Sequence, residues 1–126
     1  MRVVGRIDRR MFAKLTPDIT TDEVIITDER ISHSNLHDHA YDQFAGFIPE
    51  VLRDPDFIFQ DSRPYTAVLI REINADGKSI QMVVRLHVPN DYPAYKNSII
   101  SFWEISRRRR TNYEKNKKIV YRRGDI

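Results

Sequence analysis

The chain has 126 residues, with 21 Lys and Arg against 18 Asp and Glu for a formal charge of +3, 40% apolar residues and no cysteine. That length holds one compact domain with a single core, so the chain is expected to be one domain over residues 1–126, standing alone or as the C-terminal module of something longer, and its apolar share is too high for disorder. The missing cysteine removes a disulfide framework, a thiolate zinc site, an iron–sulfur cluster and a cysteine nucleophile, and no apolar run approaches the roughly 20 residues that cross a bilayer.

Val3 to Ile7 has the composition of a short strand, and Arg9 to Leu15 that of a short helix stopped by Thr16-Pro17. Val24-Ile25-Ile26 is a brief β-type run that leads into Thr27-Asp28-Glu29, where a Thr cap and two acids in the first turn suit a helix N-terminus. The helical pattern continues to about Gly46, and a second short helix begins at Pro49 and is stopped by Asp54-Pro55. Ile31, Phe44, Phe47, Ile48, Val51 and Leu52 are its expected buried members.

The period then changes. Asp56 to Gln60, Tyr65 to Ile73, Ser79 to Val88 and Asn97 to Ile105 are rich in Ile, Val, Phe and Tyr and predict four strands. Asn74-Ala75-Asp76-Gly77 predicts a tight hairpin turn between the second and third, and Asn90 to Lys96, with Pro89 and Pro93 nearby, a longer loop before the fourth. The expected class is α+β, with N-terminal helices packed on one face of a four-stranded antiparallel sheet.

The net charge conceals an asymmetry. Residues 1–96 hold 12 basic and 15 acidic side chains, a balance of −3, whereas residues 97–126 hold 9 basic and 3 acidic, a balance of +6. Arg107-Arg108-Arg109-Arg110 leads this cationic quarter, with Tyr113 and Tyr121 among the later Lys and Arg. Basic clusters release condensed counterions from a polyanion and aromatic faces stack on unpaired bases, which points to nucleic acid; a solvated tail or a salt-bridged helix face is the alternative.

Four histidines carry candidate chemistry: His33, His37, His39 and His87. His33 and His37 are four apart on the expected helix, so their rings project from one face. Such a pair suits either metal ligation or acid and base work, or bonds locally. The zincin pattern needs Glu after the first His, where Ser34 stands. Acid and base catalysis needs only a group that titrates near neutrality, which His supplies. On the third strand, alternation groups Arg85 with His87 as a possible phosphate clamp. Arg71 sits in an otherwise apolar strand and needs a partner or a cleft. Ser98 and Ser101 flank Ile99-Ile100, and strict alternation sends them to opposite faces unless a bulge intervenes.

Glu29-Arg30-Ile31 followed by His33, a second His shortly after, Ile48-Pro49-Glu50-Val51-Leu52, Asp54-Pro55-Asp56-Phe57-Ile58 and Asn97-Ser98-Ile99-Ile100-Ser101-Phe102-Trp103 together resemble the phage-associated members of the barnase, EndoU, colicin and RelE-like (BECR fold) nuclease superfamily. The resemblance covers about residues 3–122. It implies helices followed by a four-stranded antiparallel sheet and metal-independent RNA cleavage with no cofactor. It places the first catalytic histidine on His33 and the small hydroxyl residue of the last strand on Ser101, with Ser98 beside it. The second histidine falls on His37 or His39, and helical spacing favours His37. Arg71, Arg85 and Tyr113 are carried over more weakly, Arg85 as a catalytic cation and the others as substrate contacts; Arg107 and Arg110 are expected substrate contacts from the basic run itself. The implied partners are RNA, tRNA among the candidates, and a cognate immunity protein. The implied setting is a toxin domain, encoded or delivered by phage or secreted, acting in the cytoplasm of a target cell. A nucleic-acid-binding module that has lost catalysis is the competing expectation.

Overall fold

The computed structural model describes residues 2–36, 38–73 and 77–126. The chain opens with two strands, β1 (Arg2–Arg6) and β2 (Glu23–Ile26), separated by a 3₁₀ turn at Arg9–Phe12. Three short helices follow: α1 (Asp28–Asn35), α2 (Ala40–Phe44) and α3 (Ile48–Arg53). Next come β3 (Phe57–Gln60), β4 (Thr66–Glu72), β5 (Ser79–Arg85) and β6 (Asn97–Ile105), then α4 (Arg107–Asn116) and β7 (Ile119–Arg122).

All seven strands join one sheet in the order β1-β2-β6-β5-β4-β3-β7. The expected four-strand meander is its centre, β6-β5-β4-β3, with antiparallel pairs such as Leu69 opposite Met82 and Met82 opposite Phe102. The expectation of a four-stranded sheet is corrected at both margins. On one side β2 runs parallel to the start of β6 and pairs antiparallel with β1; on the other, β7 pairs antiparallel with β3. Each added strand holds only four or five residues, and such short segments gain order from the edge they join.

The helices are also placed differently from the expectation. Strands precede them in the chain, and they occupy both faces of the sheet. Ile31, Tyr41 and Phe44 of α1 and α2, with Ile48, Val51 and Leu52 of α3, pack on one face against Leu69, Met82, Val84, Ile99 and Phe102. Tyr113 of α4 packs on the other against Phe59, Val68, Ile70, Val83 and Ile105. Because α4 lies over the sheet, β4 and β5 are buried on both sides, and their apolar stretches at 67–70 and 82–84 do not alternate with polar residues.

Local signals explain the helix boundaries. The Thr27 hydroxyl accepts from the Arg30 N–H, capping α1, and Ser106 does the same for α4 through the Arg109 N–H. The long helix expected as far as Gly46 stops at Asn35. Asp38 and His39 follow with φ of +54° and +57°, and consecutive left-handed residues cannot propagate a right-handed helix. His37 lies outside the described residues, as do Asn74, Ala75 and Asp76 of the expected hairpin turn.

Candidate active-site cleft at the free edge of β6

In the β5–β6 ladder Arg85 faces Ser98, Val84 faces Ile99 and Val83 faces Ser101, which leaves Ile100 as an inserted residue. This bulge reverses the alternation, so Ser98 and Ser101 share the face that also carries Arg85. Among the described residues no group bonds to either hydroxyl, although Ser101 is buried.

β2 pairs with Asn97 and Ser98, and among the described residues the rest of β6 has no strand on that side. α1 and α2 stand there instead. The end of α1, the turn into α2, the end of β6 and the start of α4 enclose a cleft of about 500 Å³ lined by Leu36, Asp38, Phe44, Trp103, Glu104 and Arg109. His33 is exposed and lies three residues before Leu36, on the same side of the helix end. His39 is exposed at the start of α2 and makes no side-chain cap bond. α1 ends at Asn35, and the expected role of His37 falls outside the described residues.

The expected cations occupy different places. Arg71 lies on the opposite face of the sheet from Arg85, where it donates to Glu50 at 2.6 Å and to the Asp54 carboxylate at 3.0 Å. Arg110 donates to Asp56 at 2.9 Å and to the Ser79 hydroxyl at 3.0 Å, in a pair whose side chains are 16% and 13% exposed. Arg123 completes this cluster with bonds to Asp54 at 3.0 and 3.1 Å. Arg107 lies against Gly77, where a Cβ would overlap its guanidinium. Tyr113 donates to the Gln81 amide oxygen at 2.6 Å and packs edge-on against Phe59. Arg71, Arg110 and Tyr113 therefore spend their polar groups within the fold.

Arg85 stands at the other end of the shared face. Ser98 and Trp103 are five positions apart on β6, about 15 Å at a rise of about 3.3 Å per residue. Arg85 donates to the Leu86 carbonyl and to Asp91 at 3.0 Å, and its guanidinium lies 5.3 Å from the Tyr65 ring centroid. The Val88 N–H and then Arg85 hold the Asp91 carboxyl below its ordinary pKa. His87 is buried, so it is no phosphate ligand beside Arg85. Its Nε2–H donates to the Tyr92 carbonyl at 2.8 Å, and in the neutral ring Nδ1 then accepts from the Thr20 hydroxyl.

Two members of the basic run that were not among the expected substrate contacts complete the cationic surface. Arg108 and Arg109 are exposed, and with Thr111, Asn112 and Lys115 they line an open groove on α4. Ser106 as a cap would have revealed them: helical spacing from it sets Arg110 and Tyr113 inward and Arg108, Thr111 and Lys115 outward. Trp103 belongs to the cleft through its place opposite Gln81 on the bulged strand.

A family model described as phage-Barnase-EndoU-ColicinE5/D-RelE like nuclease2 matches residues 2–122. Neither a curated protein nor a solved structure matches the chain.

Proposed function

The chain belongs to this phage-associated nuclease family, and on that premise we propose that it is a metal-independent endoribonuclease with its reacting phosphate at the β6-edge cleft. The observation that carries this reading is the bulge at Ile100, which sets an unbonded Ser101 hydroxyl on the Arg85 face two residues from Trp103 of the cleft. His33 takes the proton from a ribose 2′-hydroxyl, whose oxygen attacks the adjacent phosphorus in line. His37 or His39 protonates the departing 5′-oxygen, leaving a 2′,3′-cyclic phosphate. Each such proton transfer is worth about 10²–10⁴-fold.

Charge builds on the non-bridging phosphoryl oxygens as the fifth bond forms. Ser101 donates to one of them, and Arg109, which lines the cleft, supplies the nearby cation. Arg85 and Ser98, about 15 Å along the strand, hold a neighbouring part of the substrate instead of the reacting group. Arg71, Arg110 and Tyr113 support the frame. Arg108 and Lys115 extend the cationic surface along α4, so phosphates outside the cleft contact this helix. As a toxin domain acting in a target cell, the chain would need an immunity protein, and an acidic surface covering α4 is the complementary form.

A module of the same fold that binds RNA without cutting it would use the same α4 surface. Incubation with end-labelled RNA in EDTA separates the two. Fragments ending in 2′,3′-cyclic phosphate are the expected result. Intact RNA retained in a salt-sensitive complex would replace the nuclease with the binding module, and cleavage abolished by EDTA would overturn metal independence.

A further inference from the structure

The chain has six tyrosines. Tyr41 and Tyr113 are half-buried and Tyr121 is buried, whereas Tyr65, Tyr92 and Tyr95 are 44%, 64% and 63% exposed. Arg85 links Tyr65 to the loop that carries the other two. Its guanidinium lies over the Tyr65 ring, and it bonds Asp91, the neighbour of Tyr92. Tyr92 and Tyr95 meet edge to face at 5.2 Å between centroids.

The backbone that presents them is over-determined. His87 holds the Tyr92 carbonyl, Asp91 accepts from the Val88 N–H at 2.9 Å, and the Tyr95 N–H donates to the Tyr92 carbonyl at 3.0 Å. Buried Asn97 ties the end of the loop to Thr21 and Glu23, and Lys96 pairs with Glu23 at 2.8 Å. Tyr65 stands at φ of +51°, a left-handed conformation that a bulky residue adopts only at a cost. A loop braced this firmly, joined through Arg85 to a strained tyrosine, does not hold exposed rings by default.

We propose that Tyr65, Tyr92 and Tyr95, bracketed by Arg85, form a stacking platform for unpaired bases, which makes single-stranded RNA the substrate class. This rests on the nuclease reading above for its direction: Arg85, which joins the rings, lies opposite Ser98 on the same sheet face, so a strand leaving the cleft along that face reaches it. Bases are favoured over phosphates because Arg85 and Lys96 are already paired with Asp91 and Glu23. Rings without free cations bind by stacking, with little dependence on salt, whereas α4 binds through charge. A duplex hides its base faces and gains nothing from the platform.

The test uses a fluorescent 2′-O-methyl RNA decamer, which lacks the attacking hydroxyl and survives any nuclease, beside its duplex. Tyr92→Ala and Tyr95→Ala should each weaken single-strand binding about tenfold at both about 50 mM and about 300 mM salt, with duplex binding unchanged. Tyr65→Asn should weaken single-strand binding while its Tm is no lower than that of the unaltered chain, because Asn tolerates the left-handed conformation. Single-strand affinity unaltered in all three variants would overturn the platform, as would equal losses on the duplex; the first result would leave the tyrosines to a protein partner. If the decamer result holds but unmodified RNA is never cut, the platform stands and the nuclease reading falls.

Discussion

Ser98 and Ser101 are three positions apart on β6 and still share one face of the sheet, because Ile100 is inserted between the partners of Val83 and Val84. Three positions along an unbroken strand would separate them. The proposed chemistry uses this directly, since only the shared face lets both serines meet one RNA strand.

Ser101→Ala should therefore lower kcat by about 100-fold or more while leaving Tm nearly unchanged, the loss expected for one donor to a developing oxyanion. Ser98→Ala should act mainly on KM, because Ser98 lies near Arg85 at the far end. Steady-state kinetics on a labelled RNA oligonucleotide measure both. Equal kcat for Ser101→Ala and the unaltered chain would remove the serine from the reaction.

Neighbouring arginines of α4 should separate by role. Arg110→Ala removes the 2.9 Å bond to largely buried Asp56, which keeps Arg123 at 3.1 Å, and should cost about 1.5–2 kcal/mol, read by urea unfolding. Arg108→Ala removes an exposed side chain and should cost less than about 0.5 kcal/mol. It should instead weaken RNA binding and reduce the salt slope by about one. Reversed effects would mean that the inward and outward faces of α4 are misassigned.

Gly77 has φ of +85°, and a Cβ there would meet the Arg107 guanidinium. Gly77→Ala should destabilise by about 1 kcal/mol, mainly through left-handed strain, since the flexible Arg107 end can swing aside. Adding Arg107→Ala should recover only part of that loss, since the strain remains. Full recovery would assign the whole cost to the contact.

Asp91 gives a pH signature. Its carboxyl is held below its ordinary pKa by the Val88 N–H and Arg85, so its stabilisation is present above that ordinary value and is lost as pH falls below it. The Tm difference between the unaltered chain and Asp91→Asn should be constant from about pH 5 upward and shrink below about pH 4. A difference that persisted in acid would show that the charge of Asp91 does not hold the loop.

Strong local patterns were legible in the sequence. Asn97 to Ile105 is β6 to the residue, and the Thr27 cap starts α1 where the hydroxyl and acidic first turn place it. The bulge was visible only as a condition, since nothing in Ser98-Ile99-Ile100-Ser101 says which residue will be inserted; the partner strand decides that. α4 was hidden because Tyr113 is its one large apolar residue, so a helix that docks through a single ring and ion pairs has no hydrophobic stripe to detect. β7 was hidden by brevity: Ile119 to Arg122 becomes a strand because β3 offers an open edge. Arg71 and Arg110 looked like substrate cations because their partners, Glu50, Asp54 and Asp56, come from distant parts of the chain.

The central claim, RNA cleavage with His33 as the base, is tested most directly by single-turnover cleavage of end-labelled RNA with His33→Ala beside the unaltered chain, both in EDTA. Loss of about 10²–10⁴-fold in rate at equal Tm is the predicted result. Cleavage at the unaltered rate would contradict it.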